Sequence, residues 1–311
     1  MPTGSAALEE RLPGCVERAA ASAEFTTYRC GGPLDVLVRA RGEGDLVAVA
    51  EVLAGAPGTE VLVIGRGSNL LVADAGFRGV AIVLTGECEE LTVDPAAARV
   101  GAGAGVPLPV LARRAASAAV GGLEFFVGIP GTVGGAVRMN AGGHGAQTRD
   151  VVVEARVVDL GSGTARSVAR DDLRLGYRTS GLGAREVVVA ATFAGRPDDP
   201  AACAARIDEI VRWRREHQPG GQNAGSVFTN PPGDAAGRLI EESGCKGLRI
   251  GGAEVSPKHA NFIVADPGAP AADVAAVIDA VRAAVEERTG IRLEPEVHLV
   301  GFATAENDRS P

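Results

Sequence analysis

The sequence predicts an α+β fold, and three features of the chain carry this prediction. Residues 60–84, EVLVIGRGSNLLVADAGFRGVAIVL, show three short apolar runs separated by a glycine turn and a loop, which is typical of β-strands. Residues 270–290 repeat valine and isoleucine at helical spacing, so they predict an amphipathic helix. At residues 197–219 the pattern changes to a charge-rich helix, which indicates a domain boundary close to residue 198.

The N-terminal half of the chain alternates predicted strands with helices. Residues 26–40 predict a β-rich opening with a turn at Gly31–Pro33. A helix is expected over 45–55, capped by Asp45, because Leu46, Val49 and Leu53 repeat at helical spacing. Residues 98–108 predict a strand that leads into glycines, and Pro107 opens a further helix through residue 120.

The second half continues with strands near 151–160 and 186–193 and then the helix at 197–219. Beyond it the pattern predicts a short helix at 235–244, strands at 251–256 and 261–265, the helix at 270–290 and a last strand at 291–301. In the 270–290 helix the apolar stripe consists of Val274, Val277, Ile278, Val281 and Val285.

Composition excludes several classes of partner. The chain has 311 residues, enough for two or three small domains, and a formal net charge of -8. An acidic chain is a poor match for nucleic acid or an anionic membrane, because both attract basic surfaces. No apolar run is long enough to span a membrane, and the acidic N-terminus lacks the apolar region of a secretory signal. Five scattered cysteines without a CxxC pair predict neither a disulfide scaffold nor a metal site, but a reducing, cytoplasmic setting.

Two glycine-rich stretches stand out, GRGSNLL (65–71) and GIPGTVGG (128–135). Glycine lets the backbone approach a ligand closely, and free N–H groups in such turns can hold phosphate. Neither stretch has the spacing of a Rossmann fingerprint, since Leu70 stands where a third glycine is required, and no P-loop is present. We expect a dinucleotide held by backbone loops from two subdomains; the alternative is that either stretch is merely a turn.

Scarce residue types mark the same regions. Only two of the 31 basic residues are lysine, Lys246 and Lys258. Asparagine is also rare, and five of its six positions fall in glycine-rich or polar motifs: Asn69, Asn140, Asn223, Asn230 and Asn261. A residue retained against such a compositional bias is more often needed where it stands.

Five motifs in order carry a family resemblance. VLVIGRGSNLLVADAGFRGVAIVL, LEFFVGIPGTVGGAVRMNAGGHG, GYRTS, NAGSVFTNP and LEPEVHLVG resemble those of the UDP-N-acetylenolpyruvoylglucosamine reductase (UDP-N-acetylmuramate dehydrogenase) family, from about Tyr28 to Gly301. The resemblance implies a two-subdomain FAD-binding fold of the vanillyl-alcohol-oxidase (PCMH) type plus a C-terminal α+β substrate domain. We expect FAD-binding subdomains at 1–85 and 86–198 and a substrate-binding domain at 199–311.

The resemblance also implies the chemistry. In this family NADPH reduces non-covalently bound FAD, which then reduces the enolpyruvyl group of UDP-N-acetylglucosamine enolpyruvate in peptidoglycan precursor synthesis. The residues expected at the cofactor are Gly65, Arg66, Gly67, Ser68, Asn69, Leu70, Gly128, Ile129, Pro130, Gly131, Thr132, Gly134, Gly135 and Asn140.

Three residues match the family's catalytic positions. Ser226, in NAGSVFTNP, matches the proton donor, and Arg178, in GYRTS, matches the arginine that binds the enolpyruvyl carboxylate. Glu296 matches the catalytic glutamate; strand alternation places Glu294, Glu296 and His298 on one face, opposite Leu293, Val297 and Leu299. Taken alone, each has a bland alternative: a turn serine, a solvated strand face, a surface arginine.

Further residues are expected around the substrate. They are Asn230, Lys258 and His217, the last standing where the family often has lysine. Two more departures are Thr229, where lysine is common, and Ala265, where asparagine is common, and they bear on binding of the diphosphate or of NADPH. His144 is expected to pack the loop rather than to anchor the flavin.

Other functions remain open at the level of sequence. One is an oxidase or dehydrogenase of the wider FAD fold with another substrate. The others are a paralogue that reduces a related enol ether and a flavin-binding module without catalysis. The segment between Arg178 and residue 198 has no room for an additional loop, so the chain resembles the family's shorter subtype, and a monomer is expected.

Overall fold

A computed structural model describes residues 4–302 of the chain. The described chain forms two compact units, and each is assembled from segments that are not contiguous. Unit 1 comprises the described residues up to Arg18, Val36–Arg66 and Gly79–Glu216. Unit 2 comprises Ala19–Asp35, Gly67–Arg78 and the described residues from His217 onward.

Helices and strands follow one another along the whole described chain. The helices are α1 (Ser5–Arg11), α2 (Glu43–Ala54), α3 (Leu108–Ser117), α4 (Val133–Arg138), α5 (Thr148–Val151), α6 (Pro200–His217), α7 (Ala236–Glu242) and α8 (Ala271–Thr289). The first nine strands are β1 (Val16–Ala21), β2 (Pro33–Ala40), β3 (Glu60–Ile64), β4 (Leu70–Val72), β5 (Phe77–Leu84), β6 (Leu91–Asp94), β7 (Arg99–Gly103), β8 (Val120–Gly121) and β9 (Gly142–Gly143). The remaining strands are β10 (Ala146–Gln147), β11 (Val152–Asp159), β12 (Thr164–Ala169), β13 (Glu186–Ala194), β14 (Arg196–Pro197), β15 (Arg249–Ile250), β16 (Ala253–Val255), β17 (Ile263–Ala265) and β18 (His298–Val300).

Two sheets supply most of the strand structure. One has the order β1-β2-β5-β3, in which β3 pairs parallel to β5 and Val61 lies opposite Val80. The other, in unit 1, has the order β12-β11-β13-β7-β6 and is antiparallel at every pair. Side chains from these strands and from α2, α3 and α6 form the hydrophobic core of unit 1.

Helix α2 confirms the apolar face expected from the sequence, since Leu46, Val49 and Leu53 are buried. Its start differs from the prediction. Gly42 precedes the helix, and Asp45 lies in the first turn, where it accepts a hydrogen bond from the Arg41 N–H at 2.9 Å. Asp45 therefore fixes the chain entering α2 without being its N-cap.

Helix α8 organises the core of unit 2, because all five residues of its predicted apolar stripe are buried. Its first turn is held by Asp74, whose two carboxylate oxygens accept from the N–H groups of Ala271 and Ala272 at 2.8 and 2.9 Å. Carboxylates at this position satisfy donors that the helix itself leaves open. The β15-β16-β17 sheet and the parallel pair β4–β18 complete the unit.

Several details depart from the sequence prediction. Helix α6, placed by the prediction in the substrate domain, buries Cys203 and Ile207 in the core of unit 1. The predicted strand over 291–301 is formed only at β18, and Leu299, expected opposite Glu296, is 39% exposed. The pattern also missed α1, β12 and the β9–β10 hairpin. No helix within residues 4–302 is both long and apolar enough to cross a membrane.

Candidate active site

The two glycine-rich stretches meet within unit 1. A side chain at Gly65 would overlap the Thr132 hydroxyl, so the end of β3 and the second glycine stretch are in direct contact there. Thr132 is itself buried and pairs with Pro107, and the Val133 N–H donates to the Val106 carbonyl at 3.0 Å. Glycine is therefore favoured at position 65 because the Thr132 side chain packs directly against it.

The turn after Gly65 presents backbone donors. No described residue accepts a hydrogen bond from the N–H groups of Arg66, Gly67 or Ser68. Gly67 has a φ of +57°, and a side chain there would overlap the Phe25 carbonyl. Beside it lies Thr26, whose buried hydroxyl has no partner among the described residues. Successive free N–H groups and an unpartnered hydroxyl suit an anion such as a phosphate.

Gly128 has a packing reason of its own. A Cβ at this position would lie 2.8 Å from Cδ2 of His144, which sits at φ +54° in the β9–β10 hairpin. The His144 ring contacts Trp213 edge to face, with ring centroids 5.1 Å apart. Burial, and then the charge of Arg214, lower the pKa of His144. These contacts agree with the expected role of His144 in loop packing.

In unit 2 the structure brings Ser226 and Glu296 into neighbouring segments. The Val227 carbonyl accepts from the N–H groups of Glu296 at 2.7 Å and of Val297 at 3.3 Å. Phe228 also pairs with Pro295 across the same two segments. Ser226 and Glu296 are 70 positions apart in the sequence. In this pairing Glu296 is bonded to Val227, the residue that follows Ser226.

Asn69 holds the other side of Glu296. Its Nδ2 donates to the Glu296 carbonyl at 3.0 Å, and its carbonyl accepts from the His298 N–H at 3.0 Å. The next residue begins the parallel pairing of β4 with β18, in which Leu70 lies opposite His298. Asn69, predicted at the cofactor, therefore links the first glycine turn to the backbone of the predicted acid.

Asn261 holds the Ser226 segment on its remaining side. Its Oδ1 accepts from the Phe228 N–H at 3.0 Å, and its Nδ2 donates to the Phe228 carbonyl at 2.8 Å. The Asn261 carbonyl accepts from the Val227 N–H at 2.9 Å. The residue is only 4% exposed. Its scarcity was the only sign of this role in the sequence, which did not predict it.

Arg178 lies in unit 1, in a tight turn closed by the Gly176 N–H, which donates to the Thr179 carbonyl at 3.0 Å. Arg178 adopts φ +55°, a conformation that costs free energy for a residue with a side chain and is enriched at functional sites. Asn140 supports this turn: its fully buried Nδ2 donates to the Gly176 carbonyl at 2.7 Å, and its Oδ1 accepts from the Arg149 N–H. The side chain predicted at the cofactor is thus used within the protein.

The residues expected around the substrate have structural contacts as well. Asn230 accepts from the Ala236 N–H at 3.0 Å and so caps α7. Lys258 and His217 are exposed residues of unit 2. Thr229, which replaces a lysine common in the family, donates through its hydroxyl to the Glu294 carbonyl at 3.2 Å. This departure adds a tie between the Ser226 and Glu296 segments.

A cluster of acidic and sulfur side chains lies elsewhere in unit 1. Glu124, Asp198 and Cys203 bring their ligand atoms within 4.8 Å of one another. Arg206 occupies the centre, at 2.7 Å from both carboxylates. Burial alone would raise the pKa of Glu124, but its hydrogen bonds, chiefly from Arg206, lower it. The arginine neutralises this cluster as an ion-pair network.

Comparison with known proteins gives matches over both halves of the chain. Residues 34–169 match the model of an FAD binding domain, and residues 217–300 match that of the UDP-N-acetylenolpyruvoylglucosamine reductase C-terminal domain. Among curated proteins, UDP-N-acetylenolpyruvoylglucosamine reductase 2 of Symbiobacterium thermophilum is 45% identical over 94% of both chains. The corresponding reductase of Geobacter metallireducens is 44% identical over 95% of this chain and 97% of its own.

A solved structure extends the similarity to three dimensions. The crystal structure of UDP-N-acetylenolpyruvylglucosamine reductase from Thermus caldophilus superimposes with a TM-score of 0.78 at 36% identity. The match covers 92% of this chain and 98% of the other.

Proposed function

The chain belongs to the UDP-N-acetylenolpyruvoylglucosamine reductase family, and on that premise we propose that Ser226, Glu296 and Arg178 are its catalytic residues. The chain is an FAD-dependent oxidoreductase with the two-subdomain FAD-binding fold and the α+β substrate domain expected from the sequence. It uses NADPH to reduce the enolpyruvyl group of UDP-N-acetylglucosamine enolpyruvate in peptidoglycan precursor synthesis. The pairing of Glu296 with Val227 is the observation that carries the residue assignment.

The residues of the first glycine turn fit FAD. Three backbone N–H groups without an internal acceptor and the unpartnered Thr26 hydroxyl provide the donors that a pyrophosphate requires. When bound, FAD supplies hydride transfer from NADPH to the terminal methylene carbon of the enol ether. Gly65 to Leu70, Gly128 to Thr132, Gly134, Gly135 and Asn140 are the proposed cofactor residues, the side chain of Asn140 also holding the turn at Gly176.

Ser226 is the proposed proton donor. Addition of hydride to the methylene carbon leaves the neighbouring carbon, which bears the carboxylate, in need of a proton. The Ser226 hydroxyl has no hydrogen-bond partner within the described residues, so it can be directed toward a substrate. A positioned general acid is worth about 10²–10⁴ in rate.

Arg178 and Glu296 are proposed to act on the carboxylate of the enolpyruvyl group. Negative charge develops beside it as hydride arrives, and an arginine fork matches a planar carboxylate with two parallel hydrogen bonds. Glu296 is proposed to act as the acid that donates a hydrogen bond to the same carboxylate and so helps to polarise it. Asn230, Lys258 and His217 are proposed to contact the remainder of the substrate, where its diphosphate requires donors.

We further propose a monomeric, cytoplasmic enzyme that binds neither membranes nor nucleic acid. All five cysteines are buried and unpaired, which fits a reducing compartment. Burial raises the pKa of the Cys30 and Cys88 thiols to about 11, so these side chains stay protonated and unreactive at neutral pH.

An anaerobic absorbance experiment tests the assignment. NADPH is added to flavin-loaded protein and bleaches the flavin band; UDP-N-acetylglucosamine enolpyruvate is then added and restores it. Ser226→Ala is expected to bleach at the wild-type rate, because it does not touch the first step. Its reoxidation is expected to slow about 10²–10⁴-fold, because the proton donor is missing.

Each other outcome is informative. If Ser226→Ala reoxidises at the wild-type rate, Ser226 is not the donor. If only oxygen restores the wild-type flavin, the substrate is a different one, as for a paralogue or another oxidase. If NADPH leaves the bound flavin oxidised, the chain is a flavin-binding module.

A further inference from the structure

We propose that Asn261 is a positioning residue of the reduction: it fixes the segment that carries Ser226, so that the hydroxyl delivers its proton to the correct carbon. This inference rests on the proposed role of Ser226. It concerns a residue whose own side chain points to the backbone of Phe228 and takes no part in the chemistry.

The amide of Asn261 replaces a missing strand. Phe228 is 2% exposed, so its backbone N–H and C=O both require partners inside the protein. The Asn261 side chain supplies an acceptor for one at 3.0 Å and a donor for the other at 2.8 Å. An amide in this orientation offers both at once, whereas an ionised carboxylate of the same size can only accept.

The Ser226 segment is consequently clamped between two others. On one side the Val227 N–H and both backbone groups of Phe228 are bonded to Asn261. On the opposite side the Val227 carbonyl and the Thr229 N–H are bonded to Glu296 and Glu294. Ser226 is the residue immediately before this clamp, so the position of its hydroxyl depends on the register that the clamp enforces.

Asn261 is itself held in place. Its N–H donates to Nδ1 of His259 at 3.2 Å, and the His259 ring stacks at an angle on Phe262, with centroids 4.7 Å apart. The Phe262 carbonyl accepts from the Ser256 N–H at 2.8 Å, which closes the 256–262 loop. A rigid loop thus presents a rigid amide, and preorganised geometry of this kind is what proton transfer in a site demands.

The test separates the two half-reactions in folded, flavin-loaded protein. Asn261→Ala removes both side-chain bonds to Phe228. Asn261→Asp keeps the acceptor and loses the donor. Val281→Ala is the matched control. Val281 is buried in the same core, and its apolar side chain forms no hydrogen bond to the Ser226 segment. Flavin reduction by NADPH and reoxidation by UDP-N-acetylglucosamine enolpyruvate are each measured by stopped flow.

We expect both Asn261 variants to reduce their flavin at the wild-type rate and to reoxidise about 10²-fold more slowly, since a misplacement of about 1 Å has this effect. Their solvent deuterium isotope effect on reoxidation should rise above that of wild type, because proton delivery becomes limiting. Protonation of the carboxyl group introduced by Asn261→Asp restores a donor toward the Phe228 carbonyl, so that variant should partly recover at acidic pH. Wild type measured in parallel corrects for His259 and for its charged neighbours Lys246 and Glu241.

The outcomes distinguish this inference from the proposed function. If wild-type flavin is not reoxidised by the enol ether, the proposed function fails. If wild type reoxidises and the Asn261 variants match Val281→Ala in rate and isotope effect, the positioning role is wrong. Should Asn261→Ala not accumulate as folded protein, Asn261→Asp decides by the same criteria.

Discussion

At the residue scale, the glycines of the two loops differ in what requires them. Gly67 needs its positive φ, whereas Gly65 needs only the absence of a side chain, because Thr132 lies against it. The sequence predicted both as cofactor residues from their motif. It could not show that Gly65 faces the second loop, since that contact joins Gly65 to Thr132, which are 67 positions apart.

Replacement of Gly65 tests this contact directly. Gly65→Ala should destabilise the protein by about 1–3 kcal/mol through overpacking against the Thr132 hydroxyl. The double variant with Thr132→Ala should recover most of that loss, because the overlapping atom is then gone. Chemical denaturation of the flavin-free protein measures both effects.

The control for this prediction is Gly44→Ala on helix α2, where an added Cβ meets nothing within 4 Å. It should leave stability unchanged or raise it by about 0.5–1 kcal/mol. A Gly65→Ala protein as stable as wild type would show that Thr132 moves aside at no cost.

At the scale of secondary-structure elements, helix α6 is held in unit 1 by an ion pair between side chains as well as by its buried face. Glu124 accepts two hydrogen bonds from Arg206 and one from the Gly122 N–H at 2.8 Å. The helix pattern of 197–219 predicted α6 and its charge correctly. It did not reveal the partner of the helix, because Glu124 follows a glycine pair in a segment without periodicity.

Because of the Glu124–Arg206 pair, the free energy of unfolding should decrease at acidic pH. The pKa of Glu124 lies below its ordinary value of 4.5, so its contribution is complete above pH 4.5 and is lost as the pH falls through the lowered pKa. Glu124→Gln should lower the free energy of unfolding by about 1–2 kcal/mol at pH 7, given that Arg206 is 38% exposed. Between pH 5 and pH 3, the free energy of unfolding should fall less for this variant than for wild type.

Denaturation midpoints across that pH range provide the measurement. Glu209→Gln, an exposed charge on the same helix, is the control and should stay within about 0.5 kcal/mol of wild type at each pH. Parallel acid profiles for wild type and Glu124→Gln would contradict a stabilising role of the pair.

Elements with strong periodicity were the predictable part of the fold. The stripe of α8 and the face of α2 were both correct, because burial of one face imposes a repeat on the sequence. The prediction was wrong for residues 291–297. Their apolar and polar side chains alternate as in a strand, but the segment pairs through single hydrogen bonds and forms no continuous strand. For the candidate site, motifs predicted Ser226 and Glu296, but only the structure shows the asparagines that hold these two segments.

At the scale of the whole molecule, the chain passes repeatedly between its two units, so neither unit is a contiguous piece. Tyr28 and Leu71 are fully buried in the core of unit 2 together with Val227 and the stripe of α8. The substrate domain predicted from residue 199 onward lacks these two side chains and retains α6, whose core lies in unit 1.

Expression of residues 217–311 alone should therefore yield an unfolded polypeptide. The fragment lacks Tyr28, Leu71 and the Asp74 carboxylate that caps α8, and loss of a large core side chain alone costs about 2–5 kcal/mol. Circular dichroism and amide exchange measure the outcome. A cooperative thermal transition in this fragment would show that the interleaved segments are dispensable.

The same interleaving delays the completion of unit 2 while the chain is being synthesised. Tyr28 leaves the ribosome early, but Val227, which shares its core, is added about 200 residues later, or roughly 10–40 s at bacterial elongation rates. During that interval the side chains of Tyr28 and Leu71 lack the later residues that bury them in the core of unit 2. The apolar side chains of these early segments therefore need protection from aggregation until the later segments of unit 2 have been synthesised.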